Sequence, residues 1–159
     1  MGNAIYLTLN GSKQGLISAG CLSYESVGNK AQPAHRDQIL ILSTSRSITR
    51  GQHVNHQPVI VTKPIDKSSP LLGLAIDSGE LLNVQLDYYR TSAEGMQQHY
   101  YTVKLIDAVL IELTEKNHHS INHTGSQPEE ILQFRYGTTS WQHLIAGTSG
   151  YSVWHDRVY

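Results

Sequence analysis

The sequence has a single cysteine, Cys21. One cysteine excludes an intrachain disulfide, and the plain reading is a reducing, cytoplasmic compartment. There is no Lys/Arg block, and the formal net charge is −1, so no basic stripe is available for nucleic acid. No apolar run reaches the roughly 18–20 residues that cross a bilayer, so no membrane anchor is expected. No charged segment with an apolar core behind it opens the chain, so no secretory signal peptide is expected. Met1-Gly2 begins like a myristoylation site, but Tyr6 stands where Ser or Thr is needed. Apolar residues are scarce at 39%, which fits a thin sheet structure with much polar surface. At 159 residues the chain is expected to be one domain, residues 1–159, able to bury a real core.

What is present is clearest in Val61–Arg90. Asp66, Ser68 and Ser69 can each cap a helix, because a short side-chain oxygen accepts an orphan backbone N–H. Pro70 suits the first helical position, where its missing N–H costs nothing. Leu71, Leu74 and Ala75 follow at helical spacing with Ile76 beside them, and Gly79 suits a left-handed stop. The expected helix, about residues 66–78, is too short to stand alone in water and must pack on something. Leu82, Val84, Leu86 and Tyr88 then alternate with polar residues, as a half-buried strand does. Gly95 marks a turn, and 99–109 resumes as a strand with Tyr101, Val103 and Leu105 on one face.

Elsewhere strand signals dominate. Residues 4–9 alternate, Asn10-Gly11 is a tight-turn dipeptide, and 13–17 is expected to return as a short strand. Residues 20–26 read as a weak strand and 28–35 as a loop. Residues 38–44 read as a strand apolar on both faces. Residues 43–58 are an extended loop or a β-arm turning at Arg50-Gly51, and 58–62 is a strand leading into the helix. Val109, Ile111 and Leu113 continue the hairpin in phase, and 114–127 is a polar surface loop. Residues 130–136 alternate with Leu132, Phe134 and Tyr136 inward, 139–145 is a strand, and Gly147–Gly150 is a turn. The aromatic tail 151–154 is expected to dock. The fold class is mainly β: a flattened β-barrel or two-sheet sandwich with one short helix.

Candidate chemistry is thin. His118, His119 and His123, and His53 with His56, suggest a metal, but a polar loop lacks the rigid convergent ligands zinc needs. They read as exposed loop histidines, and no metal or cofactor is expected. Gly147-Thr148-Ser149-Gly150 has Tyr151 where a nucleophile elbow needs its second glycine, and no helix follows. Asp87, Asp107, Glu129 and Glu130 lie near strand ends, but alternation places Asp87 on the solvent face and points Glu129 and Glu130 opposite ways in one strand, so the set reads as a solvated face rather than a carboxylate pair across a cleft. Cys21 has no cationic neighbour in sequence to activate it, so it reads as packed or idle. Tyr88, Tyr89, Tyr100 and Tyr101 flank one turn, so they form cross-strand pairs or face a subunit interface. No catalytic constellation is found, and the chain is expected not to be an enzyme.

Three blocks carry a family resemblance: the opening 1–30, VTKPIDKSSPLLGLAI at 61–76, and the closing 141–159. In this order they resemble the haemolysin-coregulated proteins (Hcp), tail-tube subunits of bacterial type VI secretion systems. The resemblance is weakest at 113–127. It implies a flattened barrel with one helix, six identical subunits per ring, and rings stacked into a tube driven out by a contractile sheath. It further implies a trimeric spike and baseplate as partners and secreted effectors carried and stabilised in the lumen. The protein would be cytoplasmic before firing and would leave the cell through the system itself, without a signal peptide. With strands along the tube axis, ring stacking is expected at Ser23 and Tyr24, at Thr49, Arg50 and Gly51, at Glu94 and Gly95, and at Arg157 and Val158. Leu71, Leu74 and Ile76 are expected to place the helix at the subunit interface or the lumen. The alternative is a carbohydrate-binding β-module, with exposed Tyr and Trp141 stacking on sugar rings.

Overall fold

Period-two alternation builds most of the chain into antiparallel strands. The structure is a computed structural model that describes residues 3–123 and 125–154. Its strands are β1 (Ala4–Gly11), β2 (Gly15–Leu16), β3 (Ile39–Ile41), β4 (Ser43–Ser45), β5 (Ile48–Arg50) and β6 (Val54–His56). They continue as β7 (Val59–Pro64), β8 (Leu82–Thr91), β9 (Gln97–Lys116), β10 (Glu129–Arg135), β11 (Thr138–His143) and β12 (Thr148–Val153). The helices are α1 (Tyr24–Val27) and α2 (Ser69–Ser78).

Strand β9 joins the two walls. Its first half pairs with β8 and β11, and its second half pairs with β10. β1 lies beyond β8, and β7 and β4 lie beyond β10. The segment expected as one strand over 38–44, buried on both faces, changes walls instead. Ile39–Ile41 pairs with β1, Ser43–Ser45 pairs with β7, and Leu42 at the corner is 51% exposed. This crossing closes the two walls into a flattened barrel.

The phase of β9 flips at Asp107, which sits at φ 54°. One residue adopting the left-handed region acts as a bulge and re-aims the rest of the strand. Ala108 and Leu110 therefore point into the core, and Ile111, expected inward, is exposed. The core itself is Leu7, Leu9, Leu86, Leu105, Leu132 and Phe134, each essentially without solvent contact.

Helix α2 lies on β9 and buries Leu72 and Ala75. Burying Leu72 is worth about 1.5–3 kcal/mol. Leu74, expected on the packed face, points outward. The helix starts at Ser69 rather than near Asp66, because Asp66 Oδ1 accepts the Ser68 N–H at 2.9 Å and holds 66–68 as a turn. Gly79 stops it as expected, left-handed at φ 64°, with its N–H donated to the Ala75 carbonyl.

Three local expectations are overturned. Residues 20–26 form no strand: a turn buries Cys21 and Leu22 and leads into α1. Asn10 and Gly11 stay in β1 instead of turning, and the return strand is only Gly15–Leu16. The reason is Glu80, whose Oε2 accepts the Lys13 and Gln14 N–H groups at 3.0 and 2.9 Å and pulls that backbone away from the ladder. A Cβ on Gly11 would fall on the Glu80 carboxylate. Finally, Thr148–Gly150 belongs to β12, and the turn lies before it, with Gly147 at φ 75°.

Candidate assembly surfaces

Of the alternatives for 43–58, the β-arm is the one formed: among the described residues β5 and β6 pair only with each other. Thr49, Arg50 and Gly51 are exposed on it. Tyr24 is 75% exposed at the start of α1, next to half-buried Ser23. Glu94 and Gly95 are exposed in the β8–β9 turn, with Gly95 at φ 81°. Arg157 and Val158 lie outside the described residues. On α2, Leu71 and Ile76 are half-buried against the core and Leu74 is exposed.

Apolar side chains emerge elsewhere too. Leu81, Ile106, Ile111, Ile145 and Tyr151 are all exposed. Strand β12 pairs only with β11 among the described residues. It carries neither Pro nor a charged residue, the usual protections of a free edge. The tail divides: Trp154 packs on Tyr136 and His56, while Tyr151 stays in solvent.

Two buried polar networks went unread in the sequence. In the first, Lys63 is wholly buried, with Nζ 2.5 Å from Glu130 Oε1 and 3.2 Å from Asp66 Oδ1. Ser69 Oγ donates to the same Glu130 oxygen. The network ties β7, β10 and the start of α2 together, and Asp66 Oδ2 is buried without a protein partner. Its signal was visible: Val59, Val61 and Lys63 share one phase of β7, and Glu130, Leu132 and Phe134 share one phase of β10. Glu130 therefore does not belong to the solvated face expected for it; Glu129 is half-buried beside His118 at 3.3 Å. Cys21 lies against this network. Burial first, and the Asp66 charge next, push its thiol up to about 11, so it stays protonated.

The second network corrects the solvated reading of Asp87, which is 5% exposed. It accepts from Gln38, Gln85 and Thr102 and lies 3.2 Å from His99 Nε2. Thr102 contacts that same ring nitrogen at 2.8 Å. Both partners therefore meet one edge of the imidazole, and no acid–base–nucleophile chain is formed. Rings of Tyr6, His35, Tyr89 and His99 pack alongside.

The histidines do not behave as one exposed set. His56 is buried, its Nδ1 2.6 Å from the Tyr136 hydroxyl. Among the described residues no three His, Cys, Asp or Glu side chains converge as metal ligands do. The tyrosines split by face. Tyr88 and Tyr101 pair edge-to-face across β8 and β9, whereas Tyr89 stacks on His99. Trp141 is half-buried beneath Arg46 rather than presented to solvent.

Residues 6–143 match the family model described as "Type VI secretion system effector, Hcp". Over 171 aligned positions the chain is 37% identical to the Major exported protein of Pseudomonas aeruginosa, covering 99% of each. The solved structure of secreted protein Hcp3 from Pseudomonas aeruginosa superposes with a TM-score of 0.88 at 38% identity, over 97% of this chain and 99% of that one. A second solved structure, described as an Hcp protein, gives a TM-score of 0.90 at 29% identity, over 98% of this chain and 99% of that one.

Proposed function

The chain belongs to the Hcp family of type VI secretion effectors, and from that premise we propose that it is a tail-tube subunit that closes into hexameric rings. Hcp proteins are structural and non-enzymatic. The observation that carries the reading is the end-to-end likeness to secreted Hcp3 at 38% identity. The unprotected β12 edge and the scattered exposed apolar residues support it, since each can be covered by a neighbouring copy.

In this reading the rings stack into a tube that a contractile sheath drives outward. A trimeric spike and baseplate cap it, and effectors ride in the lumen. The chain is then cytoplasmic until firing and is exported with the tube. Lateral contacts hold the ring, with Leu74 of α2 reaching a neighbouring copy. Stacking falls to the exposed segments around Tyr24, the tip of the β5–β6 arm, Glu94-Gly95, and Arg157-Val158 beyond the described residues. Loops with no core role are where such contacts reside. Weak stacking beside firm lateral contacts would keep tubes from forming before a spike or baseplate nucleates them. Negative-stain electron microscopy of the purified protein tests this. Sixfold ring-shaped class averages are expected, and fields of small featureless monomers would overturn the proposal.

A further inference from the structure

One half-buried cation lies over aromatic rings, with no acid paired to it among the described residues. Arg46, between β4 and β5, has its guanidinium 5.2 Å from the Trp141 ring and 5.5 Å from the Tyr136 ring. Its Nη1 donates to Thr139 Oγ1 at 2.8 Å. Among the described residues no carboxylate forms an ion pair with it. A guanidinium carries five N–H donors in a flat fork shaped for a carboxylate; Thr139 and the Tyr136 hydroxyl take two of them, and the others remain for a ligand.

Arg46 lines a cavity of about 230 Å³. Val59, Leu86 and Val103 form an apolar floor that belongs to the core. Tyr88, Tyr101 and Trp141 form the walls, and Thr44 and Ser45 add hydroxyls at the rim. Among the described residues Arg46 is the only charged one lining it. Burial raises the Tyr88 phenol, with Arg46 pulling the other way, and the net shift is upward. The phenol therefore stays a neutral donor at neutral pH. An apolar floor, aromatic walls and one convergent charge are the composition of small-molecule sites. A cavity of about 150 Å³ already admits benzene, so this one holds a ring plus a short acidic arm.

We infer that this cavity binds a carboxylate carried on a small apolar or aromatic body, with Arg46 holding the carboxylate and Tyr88, Tyr101 and Trp141 holding the body. The chemistry fits two sources: a free aromatic acid, or the terminal carboxylate of a peptide ending in an aromatic residue. The site is built from one chain, so it stands apart from the ring reading and can be tested whatever the oligomeric state.

Saturation-transfer NMR titrations with phenylacetate and with its neutral counterpart 2-phenylethanol test the inference on the intact protein. Phenylacetate should saturate, and the alcohol should bind at least about tenfold more weakly, the factor expected for losing a charge-assisted contact. Arg46→Gln should bring the acid down to the level of the alcohol, and Arg46→Lys should restore part of the difference. A dipeptide ending in Phe, compared with its C-terminally amidated form, separates the sources. Tighter binding by the free-terminus peptide than by phenylacetate assigns a chain end, and the reverse assigns a free acid. Equal affinity of acid and alcohol for the unsubstituted protein would overturn the inference. That comparison needs no variant, so it holds even where Arg46→Gln fails to fold. Unchanged phenylacetate affinity in a folded Arg46→Gln protein would overturn it equally.

Discussion

Replacing Lys63 by Met is the sharpest perturbation of the fold. Met fills nearly the same volume and leaves the inward phase of β7 apolar, so packing changes little. The charge balance changes completely. Lys63 Nζ is the cation between Glu130 at 2.5 Å and Asp66 at 3.2 Å, and all three side chains are at most 4% exposed. It also donates to the Pro64 carbonyl at 3.1 Å and to Ser69 Oγ at 3.3 Å. Without it two buried carboxylates face each other unpaired, one already carrying an unpartnered oxygen. Removing one member of a buried ion pair costs about 3–5 kcal/mol. At about 2–4 °C per kcal/mol for a chain of this size, the melting temperature should fall by about 6–20 °C. Glu130→Gln should cost less, about 1–2 kcal/mol, because Lys63 keeps Asp66 and Ser69 can still donate to the amide oxygen. Urea unfolding of both variants at one fixed protomer concentration measures the order, the concentration being fixed because self-association raises apparent stability. A Lys63→Met protein within about 1 kcal/mol of the parent, or more stable than Glu130→Gln, would refute the idea that this network clamps α2 to the barrel.

Other outcomes rest on single residues. Burial alone would raise the Glu80 carboxyl, but bonds from Gln14 and Lys13 overrule it and hold it below 4.5. Glu80 thus contributes stability that is complete above that unfolded value and is lost as pH falls through the lower folded one. The stability gap between the parent and Glu80→Gln should shrink on acidification from pH 7 to about 3, and a pH-independent gap in urea unfolding contradicts the clamp. Leu74 is 59% exposed, so Leu74→Asp should change protomer stability by no more than about 0.5 kcal/mol while dispersing rings; size-exclusion light scattering showing intact rings would place α2 away from the interface. Cysteines at Tyr24 and Glu94 should crosslink one ring to the next under oxidation. Gly95 is the wrong site for that substitution because its φ of 81° strains any side chain, and buried Cys21 needs no removal. Crosslinks confined within single rings would move these segments to the lateral contact.

Much of the fold was legible in alternation and punctuation. Leu82, Val84 and Leu86, then Leu132 and Phe134, lie inward as their period requires. Gly79 ends α2 in the left-handed conformation that its position demands. What escaped was each place where a charged residue shares an apolar phase. Lys63 and Glu130 follow the period of their strands, but a pattern that counts charge as outward hides them. Asp87 escaped for a different reason: beside Gln85 on its own strand, its partners come from β9 and from Gln38, far away in sequence, so little that is local announces its burial. The phase flip at Asp107 rests on one backbone angle, and α1, four residues long, is too short for helical periodicity to register. The expected assembly surfaces rest on family resemblance alone, because a contact between identical copies leaves no spacing motif in one chain.

Native mass spectrometry of the purified protein tests the central claim most directly. The protomer is 17.7 kDa, and a ring of six should appear as a single dominant species at six times that mass. A lone 17.7 kDa species persisting to tens of micromolar, with the barrel folded, would contradict it and return the chain to the class of monomeric β-modules.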